Sequence, residues 1–115
     1  LKKFIRRDDM NTVILVGNTG QDPVVKYFES GASKVTITLA VRGRDKKTTW
    51  FDIEAWGKTG DIIVNYAPKG TKLAVSGSLK IDSWNDTKTG ERREKPVIVA
   101  ESVNLISSKK DGVNE

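Results

Sequence analysis

Hydrophobic and polar positions alternate along most of this chain with the two-residue period of extended strands, and only one segment carries the period of a helix. The alternation is cleanest from Lys34 to Arg42, where Val35, Ile37, Leu39 and Val41 fall on one side and Thr36, Thr38, Ala40 and Arg42 on the other. That is the pattern of a half-buried strand. Asn11 to Gly17 is a short, β-branched run closed by glycine, which suits a strand buried on both faces. The turn residues of Asn18 to Pro23 come next, and then a short extended piece from Val24 to Phe28 that ends at Glu29-Ser30-Gly31. Thr49 to Lys58 reads as a strand with Phe51, Ile53 and Ala55 on its inner face and Trp50, Asp52, Glu54 and Trp56 on its outer one.

After Gly57 the period changes. Thr59 to Ala67 reads as a short helix with Ile62, Ile63 and Tyr66 clustered on one side and Pro68-Lys69-Gly70 as its stop signal. Thr71 to Trp84 returns to extended structure, with Leu73, Val75, Leu79 and Ile81 of one parity and Lys72, Ser76, Lys80 and Trp84 of the other. Gly77 marks a bulge or sharp bend in it. Asn85 to Lys95 reads as a charged hairpin loop, Val97 to Ile106 as the closing strand and Ser107 to Glu115 as a polar, flexible tail. The prediction is an all-β protein with five strands and one short helix between the third and fourth. A small all-β chain removes its exposed edges by closing into a barrel, and this element order is that of the five-stranded OB-fold.

Composition narrows the chemistry. The 115 residues fit one domain and include no cysteine and no histidine. Disulfides, the usual zinc sites and imidazole or thiolate catalysis are therefore excluded. Carboxylates, lysines and hydroxyls remain, but no nucleophile with a base and no phosphate-cradling glycine loop appears, so a non-enzymatic protein without cofactor is expected. The net charge of +5 favours a polyanionic partner. Residues 1–9 carry Lys2, Lys3, Arg6 and Arg7 against Asp8 and Asp9, and differ in character from the strand pattern that begins after Met10. They read as an added segment or a flexible basic extension, with a phosphate-gripping arm as the sharper alternative. No apolar run approaches the roughly 20 residues that span a bilayer, and no secretory signal is apparent, so a cytoplasmic protein is expected.

The outer face of the Thr49–Lys58 strand is the chemically distinctive feature. Two large flat rings, Trp50 and Trp56, share it with two carboxylates, either as ordinary packing residues or as a surface meant to be covered by something flat such as a nucleobase. If parity survives Gly77, Trp84 faces the same way as Lys80. Candidate phosphate contacts are Arg42, Arg44, Lys46, Lys47, Lys80, Lys88, Arg92 and Arg93, which lie on the outward parity or in flanking loops. Each of them also reads as a solvated surface charge.

The opening Asn11-Thr-Val-Ile-Leu-Val-Gly17-Asn18-Thr-Gly20-Gln-Asp22-Pro23, with Thr49-Trp50, Gly57-Lys58, Tyr66, and Lys69-Gly70 followed by Val75 and Gly77, resembles the bacterial-type single-stranded DNA-binding proteins from about Met10 to Ile106. The resemblance implies a homotetramer of OB-folds that wraps single-stranded DNA and serves replication, recombination and repair. It implies stacking tryptophans at Trp50 and Trp84, and Trp56 where a strand-contacting phenylalanine is usual. Three departures stand out. The Gly43–Thr48 loop is short and lacks a further tryptophan, Asp52 and Glu54 would repel phosphate unless neutralised, and Phe51 replaces a histidine at a subunit contact. An acidic, hydrophobic tip that recruits replication and repair proteins in the family is not seen at Asp111-Gly-Val-Asn-Glu115, which suits either a shortened chain or a tail-less organellar or mobile-element relative. The alternative function is an OB-fold interaction subunit of a replication-restart, primosome-like complex that binds DNA weakly. An RNA-binding OB domain is a third reading.

Overall fold

The computed structural model describes residues 9–107. The proposed basic extension and flexible tail therefore lie, apart from Asp9 and Ser107, outside the described residues. The elements run β1 (Val13–Thr19), β2 (Val24–Tyr27), β3 (Ser33–Arg42), β4 (Thr48–Trp56), α1 (Gly57–Tyr66), β5 (Lys72–Asn85) and β6 (Arg92–Ser107). β1 pairs with β5, β5 with β6, β6 with β4, β4 with β3, and β3 returns to β1 through Asn18↔Ala40 and Thr19↔Leu39. Five strands thus close on themselves in an OB-type barrel. The short β2 is a sixth strand outside the closed set: it lies on the edge of β3 that β1 leaves unpaired.

The core follows the inward parity. Ile37, Leu39, Ile53, Ile63 and Leu73 are fully buried, joined by Val35, Val75, Ile98 and Ala100. Burying one such large side chain stabilises by about 1.5–3 kcal/mol, against about 0–1 for an exposed ion pair, so apolar parity and not charge fixes the strand register. The β1 run departs from the expected two-sided burial. Val13 and Leu15 pack against the core, but Ile14 is 70% exposed and Val16 is also exposed, because nothing among the described residues covers the outer side of β1.

The helix starts at Gly57 and buries Gly60 and Ile63, with Ala67 buried just past its end. Ile62 and Tyr66, expected on the packed side, are exposed. Residues three and four apart share a helix face, and the barrel accepts only the narrow stripe on which Gly60 brings the helix close to Val35 and Ala55. Two threonines secure the exit from this helix. Thr71 donates its N–H to Thr19 Oγ1 at 2.9 Å, and both hydroxyls donate to the Pro68 carbonyl at 2.7 Å.

β5 and β6 pair from Lys72↔Ser107 to Asn85↔Arg92 and extend past the barrel as a two-stranded arm. The expected loop of Asn85 to Lys95 is shorter, since Arg92, Arg93 and Lys95 already belong to β6 and the strands are joined through residues 86–91. The register shifts next to Gly77, where Ser76↔Ser102 is followed by Gly77↔Ala100. The extra residue, Glu101, sits in β6, so the alternation of β5 continues unbroken through Gly77.

Candidate nucleic-acid interface

Directly opposed residues of paired strands point to the same side. On β3 and β4 this places Lys34 beside Trp56, Thr36 beside Glu54, Thr38 beside Asp52, Ala40 beside Trp50 and Arg42 beside Thr48. Lys26 of β2 lies opposite Lys34. On the arm, Asp82 lies opposite Lys95 and Trp84 opposite Arg93. Lys80 reaches Glu54 and Lys95 reaches Asp52, so β4 and the arm present one continuous outer surface. Trp50, Trp56 and Trp84 all belong to it.

The three indoles have different settings. Trp50 is 61% exposed and its ring lies over Gly20, where a Cβ would collide with the indole and with Thr38 Oγ1. Gly20 is held there by its own N–H, which donates to the Thr38 carbonyl at 2.9 Å. Trp56 is 41% exposed, ends β4 and stacks on Phe28 with centroids 5.5 Å apart and planes 24° apart. Its indole N–H donates to Glu54 Oε2 at 3.0 Å. The Lys26 ammonium lies 5.2 Å from the Phe28 centroid, which completes a short stack of cation and two rings. Trp84 is 46% exposed near the end of the arm and lines a shallow depression with Asn85, Asp86, Thr87 and Lys88.

Both β4 carboxylates on this face are neutralised. Asp52 Oδ2 lies 3.6 Å from Lys95 Nζ. Glu54, only 4% exposed, takes Lys80 at 2.9 Å and has Lys34 at 3.9 Å. The Glu54 hydrogen bond holds the Lys80 ammonium above its usual pKa, and the Asp82 contact at 3.2 Å adds to this, against the opposing effect of burial.

The sequence-predicted cations divide into two sets. Lys80, Arg92 and Arg93 already have acidic partners: Arg93 lies 3.5 Å from Asp86 and 3.8 Å from Glu91, and Arg92 lies 3.9 Å from Glu94. Arg92 also donates to Ser83 Oγ at 3.1 Å. It pairs with Asn85, one step out of phase with Trp84, and so lies on the opposite face of the arm. Among the described residues, Arg42, Arg44, Lys46, Lys47 and Lys88 form no ion pair. Four of these flank the β3–β4 turn, which Gly43 closes by donating to the Lys47 carbonyl at 2.9 Å and which leads directly into the strand of Trp50.

Sequence reasoning missed Gly20, Lys26, Phe28, Lys34 and Lys95 as parts of this surface. Parity could have found Lys34, which is in phase with Thr36, and could have aligned Lys26 with Phe28. The approach of Trp50 on β4 to Gly20, just past the end of β1, joins segments that the sequence does not show to be neighbours.

The Single-strand binding protein family matches residues 10–106. The chain belongs to that family. Similar relatives include the single-stranded DNA-binding protein of Thermosynechococcus vestitus, 47% identical over 104 residues that cover 89% of this chain and 87% of the relative. Single-stranded DNA-binding protein 1 of a Nostoc species is 49% identical over the same coverage. The correspondingly named protein of Chlorobaculum tepidum is 34% identical over 90% of this chain and 68% of its own length. The family is one of binding proteins, in agreement with the non-enzymatic expectation. Among the described residues, no group of acidic side chains could hold a metal ion, and no helix is long and apolar enough to cross a membrane.

Proposed function

We propose that the barrel of residues 10–106 binds single-stranded DNA without sequence preference, with bases stacked on Trp50, Trp56 and Trp84. The observation that carries this reading is the exposure of three indoles on one outer surface, with neutralised carboxylates between them. Rings exposed in this way accept any base, at about 1–3 kcal/mol per stacked base. Arg42, Arg44, Lys46, Lys47 and Lys88 follow the phosphates, since none of them is held in an ion pair among the described residues. Lys80 and Arg93 border the path with their charge already matched. The names of the relatives support the same ligand.

The protein acts as a homotetramer in the cytoplasm, coating unpaired DNA during replication, recombination and repair. The uncovered apolar outer side of β1, with Ile14 and Val16, supports self-association. The restart-subunit alternative drew its force from unpaired acids at Asp52 and Glu54, and the lysines on both remove that ground.

Intrinsic fluorescence tests the reading. Titration with a long thymine oligomer is expected to quench the tryptophans deeply and saturably, less so as salt rises, with reduced quenching in Trp50→Ala and Trp84→Ala. No quenching at low salt would overturn it. Equal affinity for the uridine oligomer would widen the ligand to RNA.

A further inference from the structure

Glu54 occupies an outward position on β4, yet it is nearly buried and carries three contacts at once. One of its oxygens accepts both the Trp56 indole N–H at 3.0 Å and the Lys80 ammonium at 2.9 Å, and the other faces Lys34 at 3.9 Å. A carboxylate held out of water this way is costly unless each contact is kept. The two near contacts have opposite meanings for a bound strand. The hydrogen bond fixes the plane of the Trp56 ring, whose one side is already taken by Phe28. The ion pair, with Asp82 at 3.2 Å, occupies a lysine that otherwise reads as a phosphate contact.

We propose that Glu54 is a positioning residue of the interface: it sets the Trp56 indole for stacking and withholds Lys80 from the phosphates. This rests on the stacking reading above. A neutral pair releases no counterion when DNA arrives, whereas a freed lysine lowers the slope of log K against log salt by about 0.7 on a single strand.

The Glu54 variants are made in an Asp82→Asn background, because Asp82 lies 3.2 Å from Lys80 and would otherwise still hold it; Glu54→Gln then keeps an oxygen acceptor for the indole but loses the charge, while Glu54→Leu loses both. The experiment combines a salt series of thymine-oligomer affinities with the three indole N–H resonances of 15N-labelled protein, that of Trp56 being assigned by its absence in Trp56→Phe. Glu54→Gln is expected to bind more tightly at low salt, with a slope steeper by about 0.7 from Lys80 and up to the same again from Lys34, and to keep a Trp56 indole signal that shifts on DNA addition. Glu54→Leu is expected to show the same steeper slope, with a displaced Trp56 signal and weaker binding than Glu54→Gln. In the Glu54→Gln background, Lys80→Gln should take about 0.7 off the slope, which separates Lys80 from Lys34, the other cation that Glu54 faces. A slope in Glu54→Gln equal to that of Asp82→Asn alone overturns the proposal. Should that variant not fold, Lys80→Gln in the wild-type background decides: an unchanged slope supports the inference and a slope shallower by about 0.7 overturns it. A wild-type Trp56 signal that does not respond to DNA would instead overturn the stacking reading itself.

Discussion

At the scale of single residues, the interface depends on side chains whose neighbours were chosen by the barrel. Gly20 is the clearest case. It is not among the glycines of positive φ, so what an alanine would change there is space: its methyl group would meet the Trp50 ring and Thr38 Oγ1. The ring belongs to a half-exposed side chain and can turn aside, so Gly20→Ala should fold normally while displacing Trp50. The expected result is a shifted Trp50 emission and a loss of DNA affinity on the order of 1 kcal/mol, near the lower end of one stacking contact, read by fluorescence titration. Lys80 gives a second prediction. Its pKa is raised above 10.5, chiefly by the Glu54 hydrogen bond. A raised folded-state value means that the ion pair contributes fully below the unfolded value and loses its contribution as pH rises through the folded one. The stability difference between wild type and Lys80→Gln in urea melts should therefore hold at neutral pH and shrink above about pH 10.5. Parity in the sequence was sufficient to put Trp50, Asp52, Glu54 and Trp56 on one side of β4. It could not show that Glu54 would be buried there, because its cover comes from Lys80 on the arm and Lys34 on β3.

At the scale of elements, regular alternation made some strands legible, and pairing at a distance hid the others. β3 alternates over its whole length in sequence and is a single long strand in the barrel. β1 contains too few polar residues to reveal its exposed side, so an outer face carrying Ile14 and Val16 read as buried. The charged Arg92-Arg93-Glu94-Lys95 run read as loop because it lacks apolar alternation. It is strand because β5 pairs with it outside the barrel, where neither face requires apolar side chains. The bulge beside Gly77 is where barrel and arm meet, and it requires the backbones of β5 and β6 to approach closely. A Cβ on residue 77 would strike the Val99 carbonyl, which as backbone of a central strand cannot yield as an indole can. Gly77→Ala should accordingly cost about 3 kcal/mol of stability, the upper part of the range for overpacking, read as a lower urea midpoint with unchanged slope. Trp84→Ala, far out on the same arm, should leave that midpoint almost unchanged and weaken DNA binding instead.

At the scale of the whole molecule, charge and apolar surface divide the work. Among the described residues the outer side of β1 leaves Ile14 and Val16 uncovered, and burial of such a stripe against a second copy is the simplest way to remove it from water. Ile14→Lys should then reduce the mass measured in solution without lowering the β content. The cations act over longer range. The net charge of +5 draws any polyanion, but only those cations that form no ion pair among the described residues release counterions from DNA when they bind. Arg42, Arg44, Lys46, Lys47 and Lys88 are the five site candidates of that kind. At about 0.7 each they give a slope of log K against log salt on the order of −3.5 per protomer. Replacing Arg44, Lys46 and Lys47 together by glutamine removes three cations from one turn, and should make that slope shallower by about 2 while leaving quenching at saturation intact, since the rings stay in place. The same replacement made at Arg92 and Arg93 should change the slope far less, because Arg93 is held by Asp86 and Glu91 and Arg92 lies on the other face of the arm. Equal losses from the two sets would mean that paired and unpaired cations reach the phosphates alike, and that the strand does not follow the path marked by Trp50 and its neighbouring turn.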